Sequence, residues 1–136
     1  MTITLTLGLQ AWCREVIETD EYAARVEAKR EIEKNYREEL IHLDLRHRSL
    51  TTLPTPLGSL THLLQLYVEG NRLEALPTEL GNLYKLQFLN ASENALESVP
   101  TELGQLMSLK KLNVAHNRLT TLPTELGNIP DLKIVR

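Results

Sequence analysis

Four prolines set the terms for this chain. Pro54, Pro77, Pro100 and Pro123 stand 23 residues apart, and Gly58, Gly81, Gly104 and Gly127 keep the same step. Leucines repeat with them, so each unit reads L-x-x-L-x-[LVA]-x-x-N-x-L-x-x-[LV]-P-x-x-L-G-x-[LI]-x-x with few exceptions. The hexapeptide LPTELG occurs at Leu76 and again at Leu122, with near-copies from Leu53 (LPTPLG) and Val99 (VPTELG). Full units begin at Leu40, Leu63, Leu86 and Leu109; a partial fifth begins at Leu132 and runs to Arg136. A period of this size predicts a solenoid, in which no unit can close a core alone and each buries its leucines against its neighbours. At roughly 1.5–3 kcal/mol per buried leucine, stacking is what makes such units fold.

The positions within a unit have separate physical readings. The L-x-L segment predicts a short strand whose alternate side chains point inward, and such strands stack in parallel about 4.8 Å apart. Asn71, Asn94 and Asn117 fall where the strand must turn, and an asparagine there can satisfy backbone groups that the bend strips from the ladder. The L-P step sets an extended residue before a fixed φ. After it, TELG predicts one helical turn, with Thr as cap, Glu in the first turn and Gly to end it. Unit one departs from the pattern with Arg48 at the Asn position and Pro56 in place of Glu, as expected of an end-of-stack repeat. Ala91 and Val99 replace leucine in unit three, and Ala91 predicts a thin spot filled by a larger neighbour.

These units resemble leucine-rich repeats, whose L-x-x-L-x-L-x-x-N-x-L pattern they match almost position for position over residues 40–136. The 23-residue LPxxLGxL form is similar to the intracellular Ras-suppressor-like and ROCO-type subclass and to bacterial relatives. The resemblance implies an α/β solenoid: a leucine-rich repeat horseshoe segment with a parallel concave sheet, a face on which members commonly bind protein partners.

Residues 1–39 differ in composition. They hold 6 basic and 9 acidic side chains, net −3, while residues 40–136 hold 9 of each, within chain totals of 15 and 18. From about Gln10 to Glu39 the segment is rich in helix formers. Trp12, Val16 and Ala23 fall on one side, and Ala24, Ala28, Ile32 and Tyr36 follow i, i+4 spacing. A helix, a break and a longer helix opening near Thr19 and Asp20 are predicted. Solenoids need caps, so this N-terminal helical arm reads as the cover of the first repeat, with the charge run from Arg25 to Glu39 as a solvated face.

No enzyme motif is present, neither a phosphate-binding glycine loop nor H-E-x-x-H nor G-x-S-x-G, and the resemblance implies no cofactor. His42 and His47 read as surface histidines rather than metal ligands. The single cysteine, Cys13, beside Trp12, reads as a small buried hydrophobe, excludes an internal disulfide and suggests a reducing, cytoplasmic setting. A net charge of −3 gives no electrostatic footprint for nucleic acid, and no run is long and apolar enough for a membrane span.

What remains is a surface. By strand alternation one outward column holds His42, Gln65, Phe88, Lys111 and Ile134; the next holds Asp44, Tyr67, Asn90, Asn113 and Arg136; a third holds Arg46, Glu69, Ser92 and Ala115. Tyr67 and Phe88 are aromatics that the repeat does not require, suited either to partner contact or to ordinary cross-strand packing on the sheet. The expectation is a non-catalytic protein–protein interaction module with a scaffold or signalling role. Two alternatives stand beside it. The chain is the targeting part of a larger enzyme (kinase, GTPase or ubiquitin-ligase effector), since the stop at Arg136 reads as truncation. Or the edge strand LKIVR, or the N-terminal arm, pairs with a second copy.

Overall fold

The computed structural model describes residues 2–16 and 19–136; the expected helix break includes Ile17 and Glu18, which lie outside them. Two helices, α1 (Thr2–Arg14) and α2 (Thr19–Glu38), precede five strands: β1 (His42–Asp44), β2 (Gln65–Tyr67), β3 (Phe88–Asn90), β4 (Lys111–Asn113) and β5 (Lys133–Val135). The strands form one parallel sheet in chain order. Leu43, Leu66, Leu89 and Leu112 are register partners across β1–β4 and all are buried. Opposite them, 3₁₀ turns at Thr55–Ser59, Thr78–Asn82, Thr101–Gln105 and Thr124–Asn128 form the back of the coil.

The asparagines tie each coil to the one before it. Asn71 Oδ1 accepts from the amides of Arg48 and Leu50 at 3.0 Å, while its Nδ2 donates to the carbonyls of Leu45 and Val68 at 2.8 and 2.9 Å. Asn94 and Asn117 repeat this with Leu73 and Leu96 as the amides. Each asparagine therefore serves the preceding coil as well as its own. Arg48 needs no amide side chain because α2, not a coil, lies behind it.

The turns correct two expectations. Proline, not threonine, is the cap residue, with φ near −65° to −73° and extended ψ, and no side-chain cap bond forms. Threonine is the first residue inside the turn, where Thr78 and Thr101 bond weakly to the adjacent Glu79 and Glu102 carboxylates. The proline ring's fixed φ already sets the entry to the turn. Nor do the glycines end it: they lie within it, and none of them has a positive φ. What they provide is room. A Cβ on Gly58, Gly81 or Gly104 would sit 2.5, 2.6 or 2.7 Å from the backbone oxygen of Glu79, Glu102 or Glu125 in the next coil.

The front of the chain folds earlier than its composition predicts. Helix α1 begins at Thr2 rather than near Gln10, because Leu5, Leu9 and Trp12 at i, i+4, i+7 all enter the core and override the β-branched threonines between them. Gly8 lies against Pro56, where a Cβ would come within 2.6 Å of the proline ring. Pro56 thus departs from the repeat where the cap sits on it. Trp12 Nε1 donates to Thr52 Oγ1 at 2.8 Å, and Glu21 accepts from Thr51 Oγ1 at 2.9 Å. In α2, Ala28 and Ile32 are fully buried and Ala24 and Tyr36 half-buried, while Ala23 is exposed. The charge run is not wholly solvated. Arg25 is 3% exposed, donating to the Trp12 carbonyl and bridging Glu15 and Glu21; Asn35 is 1% exposed and links the His42 carbonyl to His62.

The last unit is one residue short. Lys111 pairs with Lys133, not Ile134, and Asn113 with Val135, not Arg136. Pro130 explains the slip by pushing Ile129 into extended conformation, with ψ 118° where Leu60, Leu83 and Leu106 have 59°, 64° and 72°. Asp131 then turns through φ 59° and the chain enters β5 early. A one-residue slip exchanges the two faces of a strand. Ile134 therefore continues the inward leucine column and Lys133 the outward one.

The four glycines provide their own control. A Cβ on Gly127 would meet nothing within 4 Å among the described residues, whereas Gly81 is crowded. Gly81→Ala should cost about 1–3 kcal/mol through overpacking, and Gly127→Ala should change stability by less than about 0.5 kcal/mol. Urea melts of the two variants check this; equal effects would contradict the close-approach account.

Candidate interaction surface

The outward face of the sheet brings most of the expected side chains together. Arg46 lies with its guanidinium carbon 5.4 Å from the Tyr67 ring centroid. The Tyr67 and Phe88 rings are 5.4 Å apart and tilted at 55°. The Lys111 ammonium is 5.7 Å from the Phe88 centroid. Cation, ring, ring and cation thus form one file across four coils. The aromatic pair contributes about 0.5–1.5 kcal/mol beyond its buried area, and each cation about 0.5–1 kcal/mol at such exposure.

Charge and hydrogen bonds fix the file at its β1–β2 end. Arg46 Nε and Nη2 donate to the two oxygens of Asp44 at 2.9 and 2.8 Å, a bidentate pair, and Arg46 Nη1 lies 3.8 Å from Glu69 Oε1. These bonds to Arg46 are the main reason that the Asp44 carboxyl is drawn down to about 2. Tyr67 Oη donates to Gln65 Oε1 at 2.9 Å. Glu69 Oε2 is buried with no hydrogen-bond partner among the described residues.

Other expected contact residues are differently placed. Asn90 Oδ1 accepts from the Ser92 amide and hydroxyl, and Asn113 Oδ1 from the Ala115 amide, so each supports its own strand exit. Asp44 does the same for the Arg46 amide. His42 is exposed at the β1 edge, outside the file. Sequence reasoning missed Lys133, because the slip in β5 is not legible in the leucine spacing. It also missed the buried Asn35, although that residue stands at i+3 from Ile32 on the apolar seam of α2.

Elsewhere the chemistry is sparse. Cys13 is buried and its thiol pushed up by desolvation, the opposite of an activated nucleophile. Among the described residues no three His, Cys, Asp or Glu side chains gather as a metal site. An open cleft of about 690 Å³ between the helices and the first coils is lined by Glu15, Asp20, Glu21, Arg48 and Arg72, with both signs of charge. Among the described residues no helix is long and apolar enough to cross a membrane.

Comparison with known proteins agrees with this architecture. The family profile described as "Leucine-rich repeat region" matches residues 25–136, so the chain belongs to the leucine-rich repeat family. No curated protein matches the chain. Among solved structures, a leucine-rich repeat protein of Leptospira interrogans is 36% identical at TM-score 0.71, over 76% of this chain and 27% of that one. The leucine-rich repeat domain of a Shigella effector is 26% identical at TM-score 0.72, over 85% of this chain and 48% of that one. A TDR receptor is 34% identical at TM-score 0.65, over 70% and 17%. The chain spans less than half of each. Domains of this family are in general non-catalytic, and their fold supports protein interaction.

The Asp44–Arg46 pair has a defined pH signature. Folding lowers the Asp44 pKa from 3.8 to about 2, so the unfolded chain holds the proton more tightly between those values. The stabilisation is complete above about pH 4 and lost as pH falls through about 2. Both side chains are nearly half exposed, so solvent screening leaves only a small part of that shift as stability. Asp44→Asn should therefore lower stability only slightly at neutral pH, and the gap should close on acidification in paired denaturant melts.

Proposed function

We propose that the chain is a non-catalytic protein–protein interaction module that binds a protein partner through the concave face of its sheet, in a scaffold or signalling role. The observation that carries this reading is the Arg46–Tyr67–Phe88–Lys111 file. Inward positions are leucine because coils must stack; outward positions are free of that demand, and this face spends two of the chain's few aromatics there. His42, Asp44, Gln65 and Glu69 flank the file as further contacts, with Asn90 and Asn113 beside it. Residues 1–39 act as the cap and residues 40–136 as the recognition unit. A reducing cytoplasmic setting fits a lone buried thiol. The same face would serve equally as the targeting segment of a larger protein.

A pull-down with wild type and with Tyr67→Ala plus Phe88→Ala tests the reading. Partner recovery should fall by at least about tenfold, as expected when a central aromatic pair is truncated, while the circular dichroism spectrum stays unchanged. Equal recovery from a folded double variant would count against the concave face.

One observation favours a second reading. Among the described residues no strand pairs with the outer edge of β5, and the room that coils fill over Gly58, Gly81 and Gly104 is open over Gly127. Self-association through that edge would add a strand to it. Mass measurement across a concentration series should then show a dimer; a monomer at millimolar concentration removes this reading.

A further inference from the structure

We propose that the partner presents an acidic, extended segment: one apolar side chain on the Tyr67–Phe88 pair, with carboxylates over Lys111 and Lys133. This rests on the concave-face reading and names the chemistry that it recognises.

Charge is unevenly distributed along this face. At the β1–β2 end Arg46 is engaged by Asp44 at 2.8 Å and faces Glu69 at 3.8 Å. At the β4–β5 end Lys111 and Lys133 are register partners on adjacent strands, with the exposed Lys110 beside them. Among the described residues none of these three lysines is in an ion pair; those present involve only Arg25, Lys29, Arg30 and Arg46 as cations. Like charges directly opposite each other on neighbouring strands are destabilising. The outward neighbours Ser92, Asn113 and Ala115 offer no carboxylate to relieve them. Counter-charge from outside the chain would.

Apolar and basic elements adjoin on this face. The Lys111 ammonium is 5.7 Å from the Phe88 centroid, and Lys133 lies one strand further on. Two strand spacings of about 4.8 Å separate the Phe88 and Lys133 strands, a span that about three extended residues cover. The matching ligand is an apolar residue with Asp or Glu within about three positions of it. A nucleic acid strand fits less well, because its phosphates would also meet Asp44 and Glu69 on the same face.

Panning a displayed library of random twelve-residue peptides against the whole chain tests this. The expected result is a consensus that pairs an apolar residue with Asp or Glu within three positions. Binding of a consensus peptide should weaken about five- to tenfold in Lys111→Gln plus Lys133→Gln, with two surface charges removed, and should weaken further with added salt. A consensus without acid enrichment, retention of no clone, full binding by the double-Gln variant, or tighter binding of single-stranded DNA than of the peptide would overturn the acidic-partner proposal. Clones whose binding survives Tyr67→Ala plus Phe88→Ala would instead overturn the concave-face reading. Both variants change outward side chains, and thermal melts confirm that they fold.

Discussion

One amide side chain per coil holds this solenoid in register. Asn71, Asn94 and Asn117 each accept from a backbone amide of the preceding coil and donate to carbonyls of both coils. Leaving such groups unpaired would cost about 1–3 kcal/mol each, so the coils cannot slide past one another by a residue. Every side chain on the outward face inherits that constraint. A slip of one position would turn Tyr67 inward and put Leu66 in water. The cation–aromatic file exists because the coils that carry it are locked to one another.

Most of this scaffold is legible because its physics is periodic. The positions of β1–β4 and their inward leucine columns follow from spacing, and the helical cap ahead of them from the helix-forming composition of the first residues. What escapes is set by contacts between units that no single unit encodes. Threonine and glycine in TELG suit helix ends locally, yet the proline already fixes the entry, and the glycine is required by the next coil's backbone rather than by its own. Helix α1 starts at Thr2 because Leu5 and Leu9 find a core to enter, a tertiary gain that outweighs weak local propensity.

The surface is legible in a coarser way. Alternation tells which side chains face outward, but not what they do there. Asn90 and Asn113 stand at positions suited to partner contact, yet each caps its own strand exit, a use of asparagine that competes with any external bond. Lys133 is hidden by a single proline: Pro130 reshapes Ile129, and the whole of β5 moves by one place. The leucine spacing carries no trace of that shift, since Leu132 keeps its 23-residue step from Leu109. The signal lies in the residue before the proline, whose conformational restriction is local and readable.

The division of labour between faces bears on how such a chain could be selective. Truncating an inward leucine costs about 2–5 kcal/mol, whereas an outward aromatic contributes about 1 kcal/mol through its ring neighbours. The outward side can therefore change its chemistry with little risk to the fold. The rings are not loose, however. Arg46 and Lys111 hold the Tyr67–Phe88 pair from either side, and Gln65 holds the tyrosine hydroxyl. Side chains already held in place lose less freedom when a partner arrives, at about 0.5–1.5 kcal/mol for each one that need not be immobilised. A small, preorganised apolar patch beside lysines that form no ion pair among the described residues would thus favour the proposed short, charged segment over a broad flat partner, because affinity there would come from a few fixed groups rather than from area.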